Sequence, residues 1–341
     1  MSSAQAGAAI GLGWVQAEVT VVPVGEAGAG FGRARCDQIG ANLTSVLVGS
    51  AGVEYGRTDQ ELVIAYEDTS ARTPGVPYAA SSFGLGLALR QALAREPVER
   101  VVVDLAGLDV HDAGAGFLAA LGASADGPLD RGGAGLTAVT AADMDLSPRL
   151  LAGVQLIGVV PPAQLMQPLL GLRGITSLRG RPTGEDAAVL LATDAALETF
   201  ARSVAGDAAD RAGAGACGGL GLAIFALGGR LSTGPALAFE ADPVRGAAAE
   251  AELMVTGCSV FDFGSRGGGV VAEAATRAAA ALCPCIAIAG EVLIGGREMR
   301  TMGIEAAYAV RESSLDRPTG GDVTEPELAA VAQRIARSWR W

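Results

Sequence analysis

The stretch from Leu253 to Gly290 limits what this 341-residue chain can fold into more than any other. Leu253-Met254-Val255-Thr256 reads as a short buried strand, and the loop Gly257 to Gly269 behind it ends on three glycines. Val270 to Leu282 is almost entirely alanine and valine, with Glu273 and Arg277 placed at i and i+4, which predicts a helix. Pro284 stops it, and Cys285 to Gly290 is an apolar run of the kind buried in parallel sheets. Strand, glycine loop, helix and strand make a βαβ unit, so the chain belongs to the α/β class. Open sheets of this kind bind ligands at the carboxyl ends of their strands. A glycine-rich loop running into a helix suits a phosphate or a carboxylate.

The remaining composition narrows the function classes. A chain of this length with 50% hydrophobic residues can bury two ordinary cores. With 4% aromatics and 49 glycines, those cores must be alanine, valine and leucine with close backbone contacts. Acidic residues outnumber basic ones by 37 to 25, and a net charge of −12 makes nucleic acid and anionic membrane poor partners. All 25 basic residues are arginine, so no lysine is available to touch a phosphate, form a Schiff base or act as an amine base. Cys36, Cys217, Cys258, Cys283 and Cys285 are odd in number and irregularly spaced, with no secretory pattern ahead of them, and a reduced, cytoplasmic protein is expected. Cys283-Pro284-Cys285 is too small a ligand set for zinc, and His111 is the sole histidine, so no metal site is expected. Leu150 to Leu172 carries no charge, but Pro161-Pro162 near its centre predicts buried strand and turn instead of a membrane helix.

Along the rest of the chain, Ala6 to Val15 reads as a helix and Glu18 to Pro23 as a strand, followed by a glycine turn from Pro23 to Phe31. Leu43–Val48, Gly52–Gly56 and Glu61–Glu67 are short β-rich runs separated by turn residues, an antiparallel meander. That change of composition just after a βα unit suggests a second domain inserted into the first. A helix is expected from Ser82 to Arg95, with Ser82 as a cap, and a strand from Val98 to Leu105. Glycine loops follow at Ala106 to Gly116 and Ala212 to Gly221, with a strand at Leu156 to Val160 between them. Thr324-Glu325-Pro326-Glu327 is a capping box that opens a helix with Leu328, Val331, Ala332, Ile335 and Trp339 on one face, suited to covering the sheet of the first domain.

Several of these loops resemble the motifs of bacterial-type glycerate kinases. That family reads roughly T-G-E-G-x-x-D-x-Q-S-x-x-G-K after the strand at 253; Thr256, Gly257, Asp262, Ser265 and Gly268 match it, whereas Cys258, Ser259, Gly264 and Gly269 replace the glutamate, second glycine, glutamine and lysine. Its P-x-x-D-G-G-E-G becomes a turn in which Glu26 stands for the aspartate, Gly28 and Gly30 are kept, and Ala29 replaces the acidic residue. Ser82, Gly84 and Gly86 match S/T-x-G-x-G, and Gly107, Asp112, Gly114 and Gly116 match G-G-S-A-T-N-D-G-G-A-G, with His111 at the asparagine. The run ending Pro168-Leu169-Leu170-Gly171 keeps its P-L-L-G but has Gln164 and Met166 where carboxylates are usual. Gly213 to Gly221 is close to the family's G-A-G-A-A-G-G-L-G, and includes Gly215 and Gly218. The family's opening strand and loop, A-P-D-x-F-K-G-S-L, has no counterpart in this sequence.

The resemblance implies a flavodoxin-like (Rossmann-like) α/β domain built from residues 1–40 and 245–341, with a second α/β domain, 41–244, inserted and the site between them. It implies transfer of a phosphoryl group from ATP with Mg to the hydroxyl of glycerate, by a monomer or homodimer. Asp262 and Asp112 are then the candidate catalytic acids. Glu26, Ser82, Gly257, Ser265, Gly268, Arg266, His111, Gly215 and Gly218 are the candidate contacts to hydroxy acid and nucleotide, Arg266 being the cation best placed to replace the missing lysine. A catalytically inactive descendant that binds a small anion or a partner protein is the alternative, because phosphoryl transfer depends on the charges this chain lacks.

Overall fold

A computed structural model describes residues 1–48, 51–67, 72–95, 97–144, 150–311 and 322–339. Two compact units are present: Met1–Glu26, Arg33–Gln38 and Gly234–Trp341 form one, and Ala27–Gly32 with Ile39–Thr233 form the other, an insertion in the first.

The chain starts with α1 (Ser3–Gly11), whose capping box is complete: Gln5 N donates to Ser2 Oγ while Ser2 N donates to Gln5 Oε1. After α2 (Phe31–Ile39), the meander forms β1 (Thr44–Val48), β2 (Ala51–Arg57) and β3 (Glu61–Glu67), paired antiparallel. Next come α3 (Phe83–Leu93) and β4 (Arg100–Asp104), which lies parallel to β3. α4 (Ala115–Ala120) precedes a two-strand ribbon of β5 (Ser124–Ala125) and β6 (Ala142–Asp143) that encloses α5 (Gly132–Leu136). β7 (Gln155–Val159), α6 (Ile175–Gly180), α7 (Ala187–Ala205), α8 (Ala216–Ala226) and β8 (Arg230–Ser232) complete the inserted unit. Its sheet runs β1-β2-β3-β4-β7-β8, and the last four strands are parallel. Val101 and Val103 of β4, Leu62 and Ile64 of β3, and Leu85, Leu89 and Phe117 from the covering helices are wholly buried in one core.

The outer unit adds α9 (Gly234–Ala238), α10 (Asp242–Glu250), β9 (Met254–Phe261), α11 (Gly269–Ala281), β10 (Cys285–Val292), α12 (Gly296–Thr301), β11 (Ala306–Ala309) and α13 (Glu325–Ala336). Its three strands are parallel in the order β11-β10-β9. Side chains alternate along β10. Cys285, Ala287 and Ala289 pack with Val271, Ala275 and Met299 on one face, while Ile286 and Ile288 pack with Ala9, Leu328 and Ile335 on the other. Helices therefore cover both faces, α13 among them as its apolar stripe requires. Arg277 Nε donates to Glu273 Oε1 at 2.7 Å on the exposed side of α11.

Two elements differ from the sequence expectation. β9 continues past Thr256 to Phe261 because β10 runs beside it to Val292 and supplies hydrogen-bond partners, so the glycine loop is shorter and closes through a 3₁₀ turn, Phe263–Gly267. Glu18 to Pro23 is chain without strand pairing, since no strand of the described residues lies alongside it. Leu150 to Leu172 supplies β7 and a turn at Pro162–Gln164, and no helix among the described residues is long and apolar enough to cross a membrane.

Candidate functional site

In the inserted unit the site residues sit on loops at the carboxyl ends of parallel strands. β4 ends on Asp104, which is buried; its Oδ2 accepts from Gly28 N at 2.8 Å and its Oδ1 from Ala106 N at 3.0 Å. That carboxylate fixes the glycine turn carrying Gly28. Further on, Asp112 has no exposed surface. Its Oδ2 accepts from Ser82 N and Ser82 Oγ, both at 2.8 Å, and from Gly116 N at 3.3 Å, and its Oδ1 accepts from Gly114 N at 3.0 Å. Burial pushes the Asp112 carboxyl up, against these hydrogen bonds. Ser82 Oγ in turn accepts from Phe117 N at 2.9 Å, so it ties the start of α3 to α4 and does not cap its own helix.

His111, on the same loop, is fully buried. Its Nε2 is 2.9 Å from Thr176 Oγ1, and its Nδ1 has no partner among the described residues. Burial first, and the charge of Arg179 second, bring its pKa down to about 4, so the ring is neutral at pH 7. Arg179 donates from Nη1 to Asp109 Oδ1 at 2.7 Å and from Nε to Gly75 O at 2.8 Å. Burial opposes ionisation of Asp109, but its bonds from Arg179 and Thr73 N prevail and hold its pKa below the usual value. Tyr78 Oη donates to Glu185 Oε2 beside this pair. The glycine loop closes on the same place. A Cβ on Gly215 would collide with Pro168 O, and one on Gly218 with Val110 O. Cys217, Gly218 and Gly219 are successive left-handed residues, at φ 51°, 70° and 94°, and Cys217 N donates to Gln164 Oε1 at 2.7 Å.

In the outer unit, a cavity of about 350 Å³ is lined by Glu26, Cys258, Asp262, Ser265 and Gly268, among others. Asp262 Oδ1 accepts from Gly264 N at 2.9 Å and shapes the turn. Glu26 Oε1 accepts from Val270 N at 3.0 Å, and a Cβ on Gly269 would strike the same oxygen. The amino end of α11, where an anion would be attracted, thus already holds a carboxylate of the chain. Burial pushes the Cys258 thiol up to about 11, with Glu26 and Asp262 adding to it, so no thiolate nucleophile stands here. Arg266 turns away from the cavity: its Nη2 donates to Thr301 Oγ1 at 3.1 Å and its guanidinium lies 5.4 Å from the Phe263 ring centroid. Gly257 lies within β9, where a Cβ would meet Ile288 O, and it does not line this cavity.

The structure therefore assembles Glu26, Asp262, Ser265 and Gly268 in one unit and Ser82, Asp112, His111, Gly215 and Gly218 in the other. Sequence reasoning missed Asp104, Asp109, Arg179 and Glu185. Asp104 alone left a signal, a carboxylate closing an apolar strand; Asp109 and Arg179 are 70 positions apart and Tyr78 and Glu185 are 107 apart, and no local pattern links them.

The model of the glycerate kinase family matches residues 1–340. The chain belongs to the glycerate kinase family. Relatives include an uncharacterised protein of Mycobacterium bovis, 33% identical over 70% of this chain and 58% of its own length. The glycerate kinase of Bacillus cereus is 27% identical over 77% of this chain and 71% of its own, and the glycerate 2-kinase of Escherichia coli is 29% identical over 70% and 64%. The chain thus spans less than two thirds of the mycobacterial relative's length. In fold it matches a crystal structure from Salmonella typhimurium LT2 assigned as glycerate kinase 2, with a TM-score of 0.81, 24% identity, and coverage of 99% of this chain and 94% of that one. Membership of the glycerate kinase family brings a nucleotide with magnesium into question, and the donor set answers it in part. Two carboxylates, with no basic side chain among the described residues that line the cavity, would repel a bare phosphate. The same set fits magnesium, a hard cation held by one or two carboxylates together with phosphate oxygens, and Glu26 is the residue that would hold it.

Proposed function

We propose that this chain transfers the terminal phosphoryl group of a magnesium-bound nucleoside triphosphate, ATP, to a hydroxyl of a small hydroxy acid, glycerate. The observation that carries this reading is the cavity beside α11, where Glu26, Asp262 and Ser265 face one space. When bound, the magnesium nucleotide supplies the phosphoryl group and neutralises charge on it. The substrate oxygen forms a bond to phosphorus as the bond to the ADP oxygen breaks, and the hydroxyl proton passes to a carboxylate, for which Asp262 is our assignment. Glu26 would help hold the metal, and it keeps the first turn of α11 in place. Asp112 acts one step back by holding Ser82, Gly114 and Gly116, and neutral His111 offers Nδ1 as an uncharged hydrogen-bonding group.

A coupled ADP-release assay with purified protein, ATP, magnesium and D-glycerate tests this. Turnover that falls by about 10²–10³-fold in Asp262→Asn is the expected outcome. A second reading, a non-catalytic descendant that binds a small anion or a partner protein, is favoured by the absence of lysine, since phosphoryl transfer depends on charges this chain lacks. Its mark is a rise in melting temperature with glycerate or nucleotide in a protein that releases no ADP.

A further inference from the structure

The loop that carries His111 and Asp112 is backed by charged side chains to which the proposed reaction gives no part. Arg179, on α6, grips two other segments at once. Its Nε donates to Gly75 O at 2.8 Å and its Nη2 to Thr73 O at 3.0 Å, while Nη1 donates to Asp109 Oδ1 at 2.7 Å. Thr73 N closes the knot by donating to Asp109 Oδ2 at 2.7 Å. Beyond α6, Glu185 accepts from Val76 N at 2.8 Å and from the Tyr78 hydroxyl, so the whole stretch from Thr73 to Tyr78 is strapped down. That strap leads into Ser82, whose N and Oγ both donate to Asp112.

α6 holds the loop a second time. Thr176 precedes Arg179 by three positions on the helix, which puts the two side chains on neighbouring ground, and Thr176 Oγ1 is the partner of His111 Nε2. One element therefore fixes the loop at 109 and again at 111. The tautomer follows from cost. With the proton on Nε2, donated to Thr176 Oγ1, the unmet atom at Nδ1 is a lone pair; with the proton on Nδ1 it would be a buried N–H, the kind of orphan that folds tolerate least. A bare Nδ1 accepts, so its complement is a hydroxyl that donates.

We propose that Arg179 is a positioning residue for His111: by seating Asp109 and the Thr73–Tyr78 strap against α6, it holds the ring in the single tautomer that offers Nδ1 as an acceptor to a hydroxyl of a small hydroxy acid. The proposal rests on the phosphoryl-transfer reading for what the ring is held to do. It is the forked guanidinium, gripping two carbonyls and a carboxylate together, that a lysine ammonium could not reproduce.

His111 is the sole histidine, so nitrogen NMR of the full chain reports one imidazole. Tautomer at pH 7 and ring pKa are read in the wild type, Arg179→Lys and Arg179→Met. The charges facing the ring are those of Arg179, Asp109 and Glu185, with Asp112 next to it in the chain. The wild type is expected to show the Nε2–H form alone. Arg179→Lys keeps a positive charge but not the fork, and both tautomers are expected in exchange while the ring pKa stays near 4. Arg179→Met is expected to mix the tautomers and also to titrate higher, because the charge opposing protonation is gone. If that variant does not fold, Asp109→Asn replaces it, with the tautomers mixed and the pKa moved lower. One tautomer preserved in Arg179→Lys and in Asp109→Asn overturns the proposal, as does a wild type that already shows both. In a coupled assay Arg179→Lys is expected to lower kcat/KM for glycerate by about 10–10²-fold with the KM for ATP unchanged, and an unchanged kcat/KM in a protein that turns over also overturns it. Turnover by the wild type tests the phosphoryl-transfer reading, whereas the tautomer decides the positioning whether or not the protein turns over.

Discussion

Asp112 is the residue where a role in chemistry and a role in shape are easiest to confuse. Its four hydrogen bonds come from Ser82, Gly114 and Gly116, and every one of them holds a loop in place. Ser82→Ala is expected to lower stability by about 1–3 kcal/mol, the cost of leaving a buried acceptor short of a donor and Phe117 N without its partner, checked by urea denaturation. His111 gives a pH signature. Its folded pKa of about 4 lies below its ordinary value of 6.5, so between those values the unfolded chain binds more protons and stability falls as pH falls. The wild type is expected to lose up to about 3 kcal/mol from pH 7 to pH 4 relative to His111→Asn, with little difference between their pH slopes above pH 7. Both residues were legible in the sequence as members of a glycine loop. What they touch was not, because Ser82 lies 30 positions from Asp112 and Thr176 lies 65 from His111.

At the scale of elements, α11 and the glycine-rich, kinked start of α8 make opposite demands on small residues. Glu26→Gln removes the carboxylate that accepts from Val270 N, and about 1 kcal/mol of stability should go with the lost charge at the helix end. The same variant should bind magnesium nucleotide more weakly, which calorimetry would read. Gly218→Ala is expected to cost more than about 4 kcal/mol or to prevent folding, since its Cβ would overlap Val110 O on a left-handed backbone; Gly228→Ala, also left-handed but facing open space, should cost about 1 kcal/mol. Thermal melts of the two variants check the contrast. The βαβ stretch from 253 to 290 could be read in advance because its helix, stop and strand are local patterns. Glu18 to Pro23 could not, because a strand exists only through its neighbour, and the sequence does not say whether the neighbour is there.

Taken whole, the molecule has two α/β units, one inserted in the other, and every positive side chain is a guanidinium, His111 being neutral. The meander was visible as a shift of composition near residue 43, and the antiparallel β1-β2-β3 ribbon is what that shift encodes. If the chain turns over, an arginine-selective dicarbonyl should inhibit it while an amine-selective ester should label only the N-terminus and leave the rate unchanged. An amine-labelling step that abolished turnover would contradict this.

The glycines pressed on carbonyl oxygens at 215 and 218 carry a consequence for how such a chain can drift. A gene rich in alanine and glycine codons interchanges the two readily, and α11 carries alanine on both its buried and its solvent-facing sides. At Gly215 and Gly218 the same exchange places a methyl group on a backbone oxygen. The history of tolerated change in this molecule should therefore be written around such points, Gly257 against Ile288 O among them, with alanine stopping wherever a glycine is pressed on a carbonyl oxygen.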